Sequence, residues 1–300
     1  MGIVTRVVRQ FKKDGLSGVL GAIGRRIVRP FKVAFDLLFV IATSDFFKST
    51  TGRRYRIGFW IKLGVARRFA LNSQRVRTAS HWKEHVLMAT DILKTFPELK
   101  GVVVECGSFC GFSTANLSIV CKLCDRKLYV CDSFEGLPQP KAGEGLTILP
   151  HRGEHYDFHE GQYSASLETV KANVERFGEI EVCEFVKGYF DQTLDKIDEE
   201  IILVFEDADL RSSVETCIKS LWPKLQPGCC FYCHEPWASQ IVELFYSHEF
   251  WRDGLSCEPP GFHGSGFGVP LGMAKGSGIG FAKKIAMEDY LESSKLRMGM

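Results

Sequence analysis

The stretch from Gly101 to Pro138 reads GVVVECGSFCGFSTANLSIVCKLCDRKLYVCDSFEGLP. Its pattern predicts an apolar strand, a glycine turn, a helix and a second strand that ends in an acidic residue. This order opens a nucleotide-binding crossover, in which the ligand lies over the turn. Gly107 and Gly111 would let the backbone approach such a ligand closely. Asp132, twenty-five residues after Gly107, is placed to accept hydrogen bonds from two ribose hydroxyls.

The turn between the two predicted strands indicates which nucleotide is bound. A dinucleotide site needs the pattern G-x-G-x-x-G, whereas this turn reads ECGSFCG. The acidic Glu105 suits the cationic amino group of a methionine moiety better than a pyrophosphate. We therefore favour S-adenosylmethionine over a dinucleotide as the ligand. The candidate cofactor-binding residues are Glu105, Gly107, Ser108, Gly111, Ser113, Asp132 and Ser133.

Strands and helices are predicted to alternate through the rest of the chain. The predicted helices are 80–94, 113–124, 166–177 and 212–224, and the predicted strands are 102–105, 128–131, 181–186, 202–205 and 229–233. Such alternation favours an α/β fold, a doubly wound and mainly parallel sheet with helices on both faces. Ligands of these sheets bind outside the carboxyl ends of the strands.

Several chemically active side chains follow the predicted strands directly. Asp207 follows the fourth strand, and His234 and Glu235 follow the fifth. They should meet in one crevice, either as a metal site formed by all three or as an acid/base pair. Asp207 and His234 are the candidate catalytic residues. We interpret Asp209 as a cap for the helix that begins near Arg211.

Charge is distributed unevenly along the chain. Residues 1–70 hold fifteen Lys or Arg against three Asp or Glu, a net +12, and the remaining residues carry a net −10. The eleven cysteines lie within strand and helix patterns, which is typical of thiols in a reducing compartment. Cys230 and Cys233 would point to opposite faces of a strand, which argues against a zinc site there.

The first seventy-five residues are predicted to form a basic helical extension, followed by a catalytic domain from 76 to 300. Residues 3–13 combine apolar positions at helical spacing with four Lys or Arg. The pattern leaves open a solvated helical layer, an arm in a homo-oligomer, docking on an anionic membrane surface and a targeting peptide. The apolar run 33–42 is too short to span a bilayer, which needs about 20 residues. Nucleic acid is not an expected partner, because aliphatic residues separate the charges.

Five segments resemble the macrocin-type O-methyltransferases, which act on sugars of macrolides and related natural products. The segments are VVECGSFCGFST, LYVCDSFEGLP, GQYSASLETVKANVERFG, VKGYFDQTL and FEDADLRSSVETCIKSLWPKLQPG, and the tail GSGIGFAKK is similar to the closing strand of that family. The resemblance implies a Rossmann-like class I methyltransferase fold. It also implies S-adenosylmethionine binding by the residues at 105, 107, 111 and 132, and a divalent metal, Mg or Mn, held by Asp207 and the two residues after the fifth strand.

The chain departs from this family at the proposed metal site. Family members typically have Asp-Asp-Tyr where this chain has His234, Glu235 and Pro236. A histidine shifts the preference toward manganese, iron or zinc, or frees His234 to act as a general base. The alternative function is a noncatalytic S-adenosylmethionine-binding protein.

The expected reaction is attack by an acceptor hydroxyl on the sulfonium methyl group. The acceptor would be a small molecule, a glycan or a lipid. The segment 147–163, with His151, His155 and His159, is expected to cover the acceptor as a polar loop rather than to bind a second metal. The expected location is cytoplasmic, with association at a membrane surface left open.

Overall fold

The computed structural model describes residues 33–144, 146–149, 154–271 and 276–285. Contacts divide the chain into one unit from Met1 to Thr43 and a second from Ser44 to Met300. In the first unit, residues 33–43 form helix α1. The predicted amphipathic stretches before residue 33 lie outside the described residues. None of the described helices is long and apolar enough to cross a membrane.

The second unit is built on a six-stranded sheet. The described strands are β1 (Val102–Cys106), β2 (Leu128–Asp132), β3 (Leu146–Leu149), β4 (Glu154–Asp157), β5 (Cys183–Lys187), β6 (Ile201–Glu206), β7 (Leu225–Cys233) and β8 (Gly280–Lys283). The sheet order is β5-β2-β1-β6-β7-β8, and β3 pairs with β4 in a separate hairpin. Every pair in the large sheet is parallel except β7 with β8. The prediction of a mainly parallel sheet is confirmed.

Helices connect the parallel strands, and short 3₁₀ turns lie between several of them. The α-helices of this unit are α2 (Phe59–Asn72), α3 (Trp82–Lys94), α4 (Phe112–Leu123), α5 (Leu167–Phe177), α6 (Phe190–Thr193), α7 (Arg211–Leu221) and α8 (Ser239–Val242). Ten of the twelve residues of α4 are buried, which explains its near-continuous run of apolar and small residues. A π-helical turn at Glu249–Asp253 follows α8.

The register of the sheet aligns the ends of its central strands. Cys106 of β1 pairs with Glu206 of β6, and Glu206 pairs with Cys233 of β7. The next residues of these strands therefore emerge side by side at the carboxyl edge of the sheet. This edge is where the predicted site residues were expected.

Two regions differ from the sequence-based expectation. The segment expected as a polar loop contains the hairpin β3–β4, in which the backbone of His155 lies in β4; His151 lies outside the described residues. Residues 180–182 form a 3₁₀ turn, so β5 begins two residues later than predicted. The proline and glycines near His151 favour a loop, but cross-strand pairing at Leu146–Leu149 organises the segment.

Residues 44–75, which the sequence analysis assigned to the basic extension, lie in the second unit. Helix α2 buries Phe69 completely. The side-chain amide of Asn72 donates to the Asn116 carbonyl oxygen of α4 at 2.9 Å and to the backbone oxygen of Phe177 at 3.1 Å. The boundary after residue 75 stays a prediction.

Candidate active site

Asp132 organises the turn after β1. Its Oδ2 accepts hydrogen bonds from the backbone amide of Ser108 at 2.7 Å and from the Ser108 hydroxyl at 2.8 Å. Its Oδ1 accepts from the amide of Phe134 at 2.7 Å. Because a carboxylate offers about four acceptor positions, Asp132 can hold the turn and still accept from a ligand hydroxyl.

Glu105 is the penultimate residue of β1, before the same turn, and is completely buried. Its Oε2 accepts from the Thr114 hydroxyl at 2.6 Å, whereas Oε1 has no hydrogen-bond partner. Burial raises the pKa of Glu105 to about 8, against the opposing effect of hydrogen bonds from Ser113 and Thr114. A buried carboxyl oxygen without a donor is the feature that a cationic group would satisfy.

The two glycines of the turn have a different structural reason from the one predicted. Gly107 adopts φ +89°, and a Cβ there would overlap the carbonyl oxygen of Asp207. Gly111 adopts φ +79°, and its Cβ would lie 3.0 Å from a methyl group of Val170. Contacts within the protein therefore suffice to require both glycines.

The two remaining serines have different surroundings. Ser113 is buried at the start of α4, where it helps to lower the pKa of Glu105 against the effect of burial. The Ser133 hydroxyl donates to the Gly136 oxygen at 2.8 Å and accepts from the Glu135 amide at 3.1 Å. Ser133 is thus committed to the turn after β2.

The second half of the site joins the ends of β6 and β7. The Nδ1 atom of His234 lies 3.1 Å from Asp207 Oδ1 and 4.0 Å from Glu235 Oε1. One potential ligand atom from each of the three residues lies within 4.8 Å of the others. Glu235 is completely buried, and its Oε1 has no hydrogen-bond partner. The predicted trio is therefore brought together, with one oxygen free to bind a cation.

A second group of potential ligands shares Glu235 with this trio. Glu206, Cys233 and Glu235 form another set with donor atoms within 4.8 Å. Burial raises the pKa of Glu206 to about 7, and it raises that of Glu235 well above the usual value, with Glu206 and Asp207 adding to the effect. Sequence analysis did not include Glu206 or Cys233 in the predicted metal site.

Asp209 does not cap the next helix. The N-cap of α7 is Leu210, which makes no side-chain cap. Glu144 accepts from the backbone amide of Ser212 at 2.7 Å and from its hydroxyl at 2.9 Å instead. The interpretation of Asp209 as a cap is wrong. Glu144, which lies sixty-eight residues before Ser212 in the sequence, accepts the hydrogen bonds at the helix start instead.

Sequence analysis also missed Glu84, which lies in the first turn of α3. Its Oε2 is 3.6 Å from His234 Nε2, an ion-pair distance that exceeds a hydrogen bond. Burial lowers the pKa of His234, but the Asp207 and Glu84 carboxylates outweigh this and raise it well above its usual value. The spacing of His81 and Glu84 in the sequence indicates a capping box. That role alone does not indicate the contact between Glu84 and His234.

Comparison with known proteins gives O-methyltransferases as relatives. The profile of the macrocin O-methyltransferase (TylF) family matches residues 70–243. A curated enzyme of Streptomyces olivaceus, 8-demethyl-8-(2,3-dimethoxy-alpha-L-rhamnosyl)-tetracenomycin-C 4'-O-methyltransferase, is 32% identical over 133 residues. That alignment covers 43% of this chain and 50% of the relative, so the chain spans about half the length of the curated protein it matches.

The fold is shared with a solved structure. The O-methyltransferase NovP superposes with a TM-score of 0.53 at 16% sequence identity, covering 69% of this chain and 81% of that one. This likeness supports the Rossmann-like α/β fold of class I methyltransferases. Because the family profile matches more than half of the sequence, the chain belongs to the macrocin O-methyltransferase (TylF) family.

Proposed function

We propose that this chain is an S-adenosylmethionine-dependent O-methyltransferase that acts on a hydroxyl of a sugar or a natural-product-like acceptor. Family membership and the curated relative, whose name describes a sugar 4'-O-methyltransferase, support the reaction class. The observation that carries the proposal is that Glu105 and Asp132 lie at the carboxyl ends of β1 and β2, at the same edge of the sheet as the Asp207 trio. The Asp207 amide donates to the Cys106 oxygen at 2.8 Å, which joins the two halves of the site.

The cofactor-binding side fits S-adenosylmethionine. Glu105 offers the unpaired Oε1 to the amino group, and Asp132 retains acceptor capacity for the ribose hydroxyls. Ser108 and Ser113 support these two carboxylates. Bound S-adenosylmethionine supplies an electrophilic methyl group on its sulfonium.

The trio of Asp207, His234 and Glu235 fits a divalent cation. Its donor set of two carboxylates and one imidazole suits manganese or zinc as well as magnesium. A bound cation would lower the pKa of an acceptor hydroxyl and orient it. Asp207 or His234, whose side chains are 21% and 13% exposed, would accept the proton that the hydroxyl loses, and His234 can do so only while Nδ1 carries no proton.

A calorimetric titration of S-adenosylhomocysteine into metal-stripped protein tests the cofactor site. Asp132→Asn and Glu105→Gln should each weaken binding about 10- to 100-fold, because each removes a charge-assisted contact worth about 1.5–3 kcal/mol. Asp191→Asn, on the exposed face of α6, is the control and should bind as the wild type does. Binding by neither the wild type nor the control would refute the cofactor assignment.

Catalysis is tested separately with labelled S-adenosylmethionine and a panel of sugars, glycosides, glycans and lipids. Methyl transfer that is lost in Asp207→Asn and His234→Gln supports the enzyme. Tight binding of S-adenosylhomocysteine without transfer to any acceptor, with or without Mg²⁺, Mn²⁺ or Zn²⁺, would favour the noncatalytic alternative.

A contact with anionic membrane surfaces is the second part of the proposal, alongside a cytoplasmic location. The support is the +12 charge of residues 1–70 together with helix α1. Phe35 and Leu38 lie on one face of α1, three residues apart, and are 56% and 66% exposed. Apolar side chains on a helix next to basic sequence are typical of interfacial anchors.

A further inference from the structure

The two ring nitrogens of His234 have different surroundings. Nδ1 faces Asp207 at 3.1 Å and Glu235 at 4.0 Å, at the carboxyl edge of the sheet. Nε2 faces Glu84 of α3 at 3.6 Å. Only one of these nitrogens can therefore face the acceptor side of the site.

Glu84 is held rigidly by the backbone. Its Oε2 accepts from the His81 amide at 2.7 Å, and its Oε1 accepts from the Gly278 amide at 2.7 Å. The residue is only 2% exposed. A buried carboxylate that accepts two amide hydrogen bonds is favoured as the anion, so Nε2 faces a fixed negative charge.

Gly278 closes the Nε2 side of the ring from another direction. A Cβ at this position would lie 3.0 Å from His234 Nε2 and 3.6 Å from Glu84 Oε1. The bare backbone of Gly278 therefore packs directly against both groups. The Gly278 backbone and the Glu84 carboxylate therefore both border the Nε2 side of the ring.

We propose that Glu84 and Gly278 are positioning residues that keep a proton on Nε2 of His234 and present Nδ1 to the site. At Nδ1, either a proton or a bound cation can compensate the negative charge of the Asp207 and Glu235 carboxylates. Metal-binding histidines commonly have a carboxylate opposite their second ring nitrogen, and here Glu84 Oε2 lies at an ion-pair distance of 3.6 Å from Nε2. The inference deepens the proposed function, since it rests on His234 acting there as a ligand or a base.

Nitrogen-15 NMR of the histidine rings in metal-free protein tests the inference without requiring activity. We expect Nε2 of His234 to carry a proton. That proton should exchange slowly with water. In Glu84→Gln the exchange should become faster, because the anion opposite Nε2 is lost. A bare Nε2 with a protonated Nδ1 in the wild type would overturn the proposal.

Zinc titration of the same samples gives a second measurement. Zn²⁺ should shift the resonance of Nδ1 and leave the proton on Nε2, and Glu84→Gln should bind Zn²⁺ about 10- to 100-fold more weakly. His81→Ala is the matched control, because it removes the other half of the capping box and leaves the Glu84 carboxylate in place. Equal losses in both variants would assign Glu84 a structural role only and overturn the proposal.

Gly278→Ala keeps the test decisive if Glu84→Gln does not fold. Its methyl group should displace the ring and weaken zinc binding, although it leaves all three predicted ligands unchanged. If the wild type binds no Zn²⁺ but keeps the protected Nε2 proton, the metal assignment of the proposed function fails while the positioning role stands. Unchanged zinc binding and proton exchange in both variants would overturn the positioning role.

Discussion

At the scale of single residues, the site is defined by carboxyl groups that are buried without enough partners. Glu105, Glu206 and Glu235 are completely buried, and each leaves one oxygen without a hydrogen bond. Burial is the largest cause of the raised pKa of each. Such groups are retained neutral or are neutralised by a cation, so the edge of this sheet is suited to a positively charged ligand.

Glu105 makes the stability of the protein depend on pH. Its pKa rises from 4.5 to about 8 on folding, so between these values the unfolded chain releases a proton that the folded chain retains. The free energy of unfolding should therefore fall as the pH rises through this window, by up to about 1.4 kcal/mol per pH unit. Glu105→Gln should remove this part of the slope. Urea unfolding of both proteins from pH 5 to pH 8 measures the difference.

The exposed Glu175 of α5 supplies the control for this measurement. Glu175→Gln makes the same chemical change on a solvated surface and should leave the pH profile as it is in the wild type. A profile of Glu105→Gln parallel to that of the wild type would show that Glu105 is already ionised in the folded protein.

At the residue scale, sequence analysis assigned ligand-binding roles, which stay predictions, without the contacts that these residues make within the protein. It selected Gly107 for close approach to a ligand, yet the Asp207 backbone alone excludes a side chain there. Asp132 was selected for a ribose, yet it already accepts three hydrogen bonds from the protein. A pattern of residue types identifies the turn, whereas coordinates are needed to identify what each atom contacts.

At the scale of secondary-structure elements, the periodicity of the sequence is informative for the parallel core. All five predicted strands are present, and the predicted helix at 166–177 is α5, which Ser166 caps by accepting from the Thr169 amide. The sequence did not predict the hairpin β3–β4, where a loop was expected, or the residue that caps α7. Both depend on partners that are distant in sequence or that pair across strands, and local propensity does not encode them.

Helix α7 offers a test of such a distant cap. Glu144→Ala removes the acceptor for the amide and hydroxyl of Ser212 and should lower the free energy of unfolding by about 1 kcal/mol. Glu98→Ala, at an exposed position, should change it by no more than about 0.5 kcal/mol. Urea denaturation followed by circular dichroism compares them. Equal stability of the two variants would mean that solvent caps the helix as well as Glu144 does.

At the scale of the whole molecule, the chain combines a unit up to Thr43 with the larger α/β unit. The charge division falls elsewhere, after residue 70: residues 1–70 carry a net +12 and the remaining residues a net −10, a distribution that favours association of the first part with anionic surfaces. The oligomeric arm that the sequence analysis left open stays a prediction.

Vesicle binding tests the membrane proposal. The full chain should sediment with vesicles containing anionic lipid and not with neutral ones. Replacing Lys12 and Lys13 by Glu should weaken this binding, since each basic residue near the surface contributes about 1 kcal/mol. The control carries the same charge reversal at the exposed Lys171 and Lys219 and should sediment almost as well as the wild type.

Deleting residues 1–45 should abolish the binding entirely. Absence of sedimentation by the intact chain would reject the membrane contact. The membrane contact would also be rejected if the Lys171 and Lys219 control lost as much binding as the Lys12 and Lys13 variant. Vesicle binding would then depend on the net charge of the protein and not on the position of the basic residues.

The sequence by itself determined the α/β fold, the glycine turn after β1 and the positions of acidic residues at the strand ends, because these follow from local periodicity and strand polarity. Only the tertiary structure decided that Glu84 and Gly278, 194 residues apart, enclose one nitrogen of His234. It also decided that Glu144 caps α7. The physical reason is that these contacts form between segments brought together by packing and sheet register, which no short pattern in the chain specifies.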